Sequence, residues 1–199
     1  MSVSLGRGDL LLVVDVQNDF VTGSLAVPGA ERIVPVVEEC VTRFAHLGLP
    51  VVATRDWHPA RHCSFRDRGG PWPAHCVQGT PGAALAGSLA AQNTVQVISK
   101  ATHADRDAYS GFDGTGLDSL LRRLGIRRLF VCGLATDYCV RATVLDALRR
   151  GYAVFLMADA IAAVDAHPGD GGKAMHEMRL AGAVSIARSD IDSAQAIHG

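Results

Sequence analysis

Cys139 stands at the start of an amphipathic helical segment, directly after the apolar run Leu129 to Val131 and the turn Gly133 to Tyr138. A thiol at a helix N-terminus feels the positive end of the backbone dipole, which lowers its pKa toward that of a usable thiolate. Cys139 is therefore a candidate nucleophile; the alternative is the ordinary one, a small buried hydrophobe. Asp15 closes a second apolar run, Leu11 to Val14. Buried beside a thiol, its carboxylate can accept the thiol proton and return it to a leaving amine; otherwise it caps a helix or pairs with a surface arginine. Lys100 follows the run Val95 to Ile98. It either holds Asp15 and favours the thiolate, or is a solvated surface lysine. Asp56 and His58 are two residues apart, so both side chains can point the same way from an extended segment, and His75 lies on the same long loop. One oxygen and two nitrogens with open positions suit a catalytic metal site, whereas a closed structural site needs more ligands. His62 is a possible fourth ligand, or a hydrogen-bond partner of a metal-bound water. Loop histidines at the surface are the plain alternative.

The elements that must position these groups alternate. Apolar runs at Leu11–Val14, Val51–Ala53, Val95–Ile98, Leu129–Val131, Ala153–Met157 and Ala183–Ile186 read as strands. Helical spacing joins Ile33, Val36, Val37, Cys40, Phe44 and Leu47, with Gly48 as the stop. Further helices are expected over Leu117–Leu124, Asp137–Arg150 and about Gly172–Leu180. Six strands separated mostly by helices predict an α/β fold: a doubly wound, mainly parallel six-stranded sheet with helices on both faces, in a single domain spanning residues 1–199. In such sheets ligands bind outside the carboxyl ends of the strands, where strand order reverses. Asp15, Asp56 with His58, Lys100 and Cys139 all fall on that edge. The irregular stretch from Asp56 to about Pro81 is long for a compact domain, and loops of that length are commonly functional.

Composition sets the outer bounds. The chain has 199 residues, 48% of them apolar, and a formal charge of −1. Nucleic-acid and anionic-membrane partners call for basic surface that is missing here. No apolar run approaches the roughly 20 residues of a membrane span. The opening MSVSLGRGDL lacks a signal-peptide pattern, so a cytoplasmic location is the default expectation. Five cysteines (Cys40, Cys63, Cys76, Cys132, Cys139) have no framework spacing and read as reduced thiols. The first strand is followed by no Gly-rich phosphate loop, which disfavours a flavodoxin-like nucleotide binder.

Five segments, in order, resemble the nicotinamidases and pyrazinamidases of the isochorismatase-like hydrolase family: LLVVDVQNDF (Leu11 to Phe20), TRDWHPARHCSF (Thr54 to Phe65), WPAHCVQGTPGA (Trp72 to Ala83), DAYSGF (Asp107 to Phe112) and GLATDYCVRATVLDA (Gly133 to Ala147). The resemblance implies an isochorismatase-like fold and a catalytic triad of Asp15, Lys100 and Cys139. It implies one divalent ion on Asp56, His58 and His75, with zinc placed first and iron or manganese as alternatives. It implies a cis peptide before Ala135, and an oxyanion hole from the amides of Ala135 and Cys139. Phe20, Trp72, Tyr109 and Tyr138 match positions that line the substrate pocket; aromatic side chains suit a flat pyridine ring, and core packing is their other use.

The implied reaction converts nicotinamide to nicotinate and ammonia through a Cys139 thioester, with pyrazinamide as a close isostere and the metal orienting the ring. Nicotinamide is then the small-molecule partner, a step of NAD salvage is the setting, and a homo-oligomer is an open expectation. Two other readings stand beside it: a relative acting on ureido or carbamoyl substrates, and a catalytically silent binding module on the same fold.

Overall fold

Leu10 to Val14 carry no polar side chain, and they form the interior of the central strand of the sheet. The computed structural model describes residues 2–192; residue 1 and residues 193–199 of the expected domain lie outside it. The strands are β1 (Asp9–Val14), β2 (Val51–Asp56), β3 (Val95–Lys100), β4 (Arg128–Leu134), β5 (Ala153–Ala162) and β6 (Val184–Ile186). They lie in the order β3-β2-β1-β4-β5-β6, and every pairing is parallel. The sheet is therefore wholly parallel where mainly parallel was expected.

Alternation along β1 divides the core. Leu11 and Val13 face one layer; Leu10, Leu12 and Val14 face the other. The first layer is closed by α2 (Ala30–His46) through Ile33, Val37, Cys40 and Phe44. The second is closed by α3 (Leu117–Arg123), α4 (Arg141–Arg149) and α5 (Asp170–Leu180), through residues such as Leu121, Val144 and Met178. Each fully buried aliphatic side chain contributes roughly 1.5–3 kcal/mol, which is what fixes a strand buried on both faces. A short helix, α1 (Asn18–Val21), follows β1 directly.

Several elements differ from the pattern-based expectation, each for a local reason. β2 and β3 continue past their apolar runs to Asp56 and Lys100, because the ladder between them runs to that pair. β5 runs on to Ala162, with an irregularity in its pairing beside Gly133. Gly133 sits at φ +115, where a Cβ would lie 2.1 Å from the carbonyl oxygen of Val14, so no side chain fits. The helix expected from Asp137 begins instead with a π turn, Thr136–Val140, before α4 takes over. The long loop after β2 is braced by bridges between His58 and Val77 and between Phe65 and Trp72. Among the described residues no helix is long and apolar enough to cross a membrane.

The order reverses between β1 and β4. Helices leave the two strands toward opposite layers there, opening a crevice at the carboxyl edge. The four strands around it, β3-β2-β1-β4, end at or lead into Lys100, Asp56, Asp15 and Cys139.

Candidate active site

Backbone geometry turns these groups inward. Asp15, Cys76 and Ala101 have φ values of 48, 46 and 51°, a left-handed conformation that is rare without glycine. Such residues cost of order 1–3 kcal/mol each and persist where surrounding contacts hold them. Asp15 follows β1 directly and its amide donates to Thr54 of β2. Ala101 follows Lys100 and Cys76 follows His75, so each turn sits beside a candidate functional residue.

Lys100 is the hub. Its Nζ lies 2.9 Å from Asp15 Oδ2, 2.5 Å from Asp56 Oδ1, 3.4 Å from Cys139 Sγ and 3.0 Å from the carbonyl of Ala108. Asp15 and Lys100 are wholly buried and Asp56 nearly so. Thr54 Oγ1 donates to Asp15 Oδ1 at 2.7 Å. Asp15 Oδ2 is held by the Lys100 ammonium, and the Asp15 carboxyl lies beside the Cys139 thiol.

Burial pushes the Asp15 carboxyl above its ordinary range, against the opposing pull of Lys100. Burial also pushes the Cys139 thiol well up, again opposed by Lys100. The sequence pattern suggested a dipole-lowered thiol. In the folded chain burial acts in the opposite direction and is the largest influence on the thiol, which sits beside a carboxyl that burial also pushes up.

Asp56, His58 and His75 bring ligand atoms within 4.8 Å of one another. Parallel pairing of His58 with Val77 draws the distant His75 beside it: the His58 amide donates to Cys76 and the Gln78 amide to His58. His58 Nδ1 meets the His75 carbonyl at 3.0 Å and His75 Nδ1 meets the Pro73 carbonyl at 2.8 Å. Both Nδ1 atoms must then carry the hydrogen, which leaves each Nε2 lone pair available, as a metal ligand requires. Burial holds His58 neutral by pushing its pKa down to about 3. Two buried carboxylates, Asp15 and Asp56, face one buried ammonium. A divalent cation on the Asp56–His58–His75 set offsets the remaining negative charge, so the donors fit such an ion in type, tautomer and charge.

His62 stacks on His58 with ring centroids 4.2 Å apart. Its Nδ1 accepts from the Ser64 hydroxyl at 2.7 Å and its Nε2 donates to the Arg106 carbonyl at 3.1 Å, so both nitrogens are engaged.

A cavity of about 40 Å³ opens onto Cys139, Asp56 and His75 together. All four expected aromatics line it: Phe20, Trp72, Tyr109 and Tyr138, with Leu25, Val27, Val164 and Ala135. Trp72 Nε1 donates to the Tyr109 hydroxyl at 3.2 Å, joining the two loops across the cavity. The peptide between Leu134 and Ala135 is cis. A wider surface groove of about 800 Å³ along α2, lined by Glu38, Arg43 and Ser88, lacks any such convergence of reactive groups.

Some supporting residues were not legible as such. Gln17, wholly buried, accepts from the Asp56 amide at 2.7 Å and donates to the Asp56 carbonyl at 2.8 Å, clamping that residue's backbone. Phe65 sets its ring against His58, His62 and His75, with centroids 5.4–5.7 Å away. Both lie in motifs noted above, but only their three-dimensional neighbours reveal the role. The five cysteines are free thiols.

Known proteins resemble this chain in sequence and fold. The chain is 39% identical to the nicotinamidase of Escherichia coli over 93% of its own length and 97% of that protein. It superposes on the crystal structure of Pyrococcus horikoshii pyrazinamidase in complex with zinc with a TM-score of 0.86, at 48% identity over 90% of this chain and 99% of that one. PnC1 from L. infantum in complex with nicotinate gives a TM-score of 0.89, at 39% identity over 96% and 99% of the two chains. The Isochorismatase domain matches residues 9–190, nearly the whole described length. The strand order, the crevice and these likenesses lead to one assignment: the chain belongs to the isochorismatase family.

Proposed function

We propose that the protein hydrolyses nicotinamide to nicotinate and ammonia, and accepts pyrazinamide as an isostere. The observation that carries this reading is the shared cavity: a thiol, a candidate metal-ligand set and four aromatic rings open onto one slot. About 40 Å³ holds roughly three waters, so the side chains that line the slot must part to admit a ring.

The chemistry follows from the buried groups. Asp15 Oδ2 takes the Cys139 proton as Sγ attacks the carboxamide carbon. The resulting oxyanion is received by the backbone amides of Ala135 and Cys139; removing one such donor typically costs roughly 2.7–4 kcal/mol. Asp15 then delivers its proton to the nitrogen, the C–N bond breaks and ammonia leaves. The remaining thioester is attacked by water, whose proton goes to Asp15; the C–S bond breaks, and Asp15 returns the proton to the thiol. Raised basicity at Asp15 suits a group that must both take and give that proton. Lys100 keeps Asp15 and the thiol in register and stabilises the sulfur as its negative charge develops. A divalent ion, zinc in this proposal, held by Asp56, His58 and His75 would supply a Lewis acid at one end of the slot. His62 supports that seat through its stack on His58.

Ammonia release from nicotinamide by purified protein of measured metal content tests the reading. Stoichiometric zinc with steady ammonia production supports it. A zinc-loaded protein that releases none would overturn it.

A further inference from the structure

Asp137 is one residue from the pocket aromatic Tyr138 and two from Cys139, yet its side chain turns away to a different loop. Its Oδ1 accepts from the Val164 amide at 3.0 Å and its Oδ2 from the Asp165 amide at 2.8 Å. One carboxylate thus holds two consecutive backbone N–H groups, a charge-assisted pair that fixes orientation as well as distance. The clamped Val164 lines the cavity together with Cys139, Ala135 and Tyr138. Asp165 is the fourth non-glycine residue with positive φ among the described residues, at 51°; the other three flank the reactive groups. The segment continues under constraint: Asp165 Oδ1 accepts from the Gly171 amide at 2.7 Å, which ties it to α5. At Gly171 a Cβ would lie 2.6 Å from the Cβ of Ala163, so the loop and helix are in close contact. Chain geometry alone does not require this. β5 ends at Ala162, and a free loop there could swing from the cavity.

We infer that Asp137 is a specificity-determining residue: it fastens the Val164 wall of the cavity to the same turn that carries Cys139, so that the width of the slot is set relative to the sulfur. The inference rests on the proposed amidase reading for its substrate class, a planar heteroaromatic carboxamide. It predicts that loosening the clamp widens the slot, favouring ring-substituted amides over the parent.

The test compares nicotinamide with 5-methylnicotinamide, which adds one ring methyl. A single methyl in an apolar pocket changes kcat/KM by roughly 10–200-fold. Discrimination by the wild type should fall at least about fivefold in Asp137→Ala, with KM for nicotinamide rising more than kcat falls. Asp137→Asn keeps one acceptor oxygen and should lie between. Val164→Ala should narrow the discrimination similarly, and adding Asp137→Ala to it should change the ratio little further. Hydrogen exchange at the Val164 and Asp165 amides should speed up in Asp137→Ala and not in Val164→Ala. An active Asp137 variant with both substrates slowed by one common factor, or with unchanged exchange at those amides, would overturn the clamp. If Asp137→Ala does not fold, Asp137→Asn decides: an unchanged substrate ratio there likewise overturns it. Wild-type protein inactive on both amides would instead overturn the amidase reading beneath it.

Discussion

Asp56 and Lys100 are register partners on adjacent strands, and their side chains meet at 2.5 Å between Oδ1 and Nζ. The lysine that contacts Asp15 and the Cys139 thiol therefore also holds a carboxylate of the proposed metal-ligand set. The hydrolytic groups and the metal seat are consequently one charge network, and a change at either end should be felt at the other.

Removing the shared cation should be costly. Lys100→Met leaves two buried carboxylates facing each other, and breaking a buried pair in this way typically costs about 3–5 kcal/mol. Urea unfolding should show that loss, and adding Asp15→Asn should recover part of it. A double variant whose loss equals the sum of the singles would show that the two residues act independently.

The two ends of the metal set should respond differently to repair. His75→Ala removes a proposed ligand, whereas Asp56→Ala removes a proposed ligand and a partner of Lys100. Both should lower zinc content by elemental analysis. Excess zinc should restore part of the activity of His75→Ala and little of that of Asp56→Ala. Equal rescue would separate the metal seat from the lysine.

Both nitrogens of His62 are spent on Ser64 and Arg106, so it should not be needed for stoichiometric metal. His62→Ala should bind zinc with an affinity weakened about 10–100-fold while still filling the site at saturation. A variant that stays metal-free at saturating zinc would make His62 a ligand.

Much of this was legible in the sequence because it depends on periodicity. β1 and α2 follow from apolar spacing, and the reactive residues fall at strand ends because a parallel sheet puts them there. The strand limits were not legible where a strand ends in charge: Asp56 and Lys100 extend their strands although the apolar runs have stopped. Their contact depends on register between strands separated by a long loop, which no local pattern specifies. Nor does a local pattern report desolvation, which pushes the Cys139 thiol up where a helix start alone would lower it. The Gln17 clamp on Asp56 and the Asp137 clamp on Val164 are side chain–backbone contacts across the chain, invisible to spacing.

Thiol accessibility provides an independent check on the packing. Cys40, Cys76 and Cys132 are buried, and burial pushes all three thiols up, Cys40 to about 12. Only Cys63 is partly accessible. Native protein at pH 8 should show about one fast-reacting thiol against the full five in denaturant. The linkage has a definite sign. The unfolded Cys40 thiol loses its proton near 9.0 while the folded one keeps it to about 12, so stability falls as pH rises across that window. Cys40→Ala should make that alkaline decline shallower; an unchanged slope would contradict the assignment.

The central claim is that Cys139 forms a covalent acyl intermediate. Zinc-loaded protein mixed with nicotinamide, acid-quenched within one turnover and digested, should carry a nicotinoyl group on the Cys139 peptide by mass spectrometry. The adduct should disappear as substrate is exhausted and be absent from Cys139→Ala, which should also release no ammonia. Wild-type turnover with no adduct at any quench time, together with ammonia release by Cys139→Ala at a rate near wild type, would contradict the account.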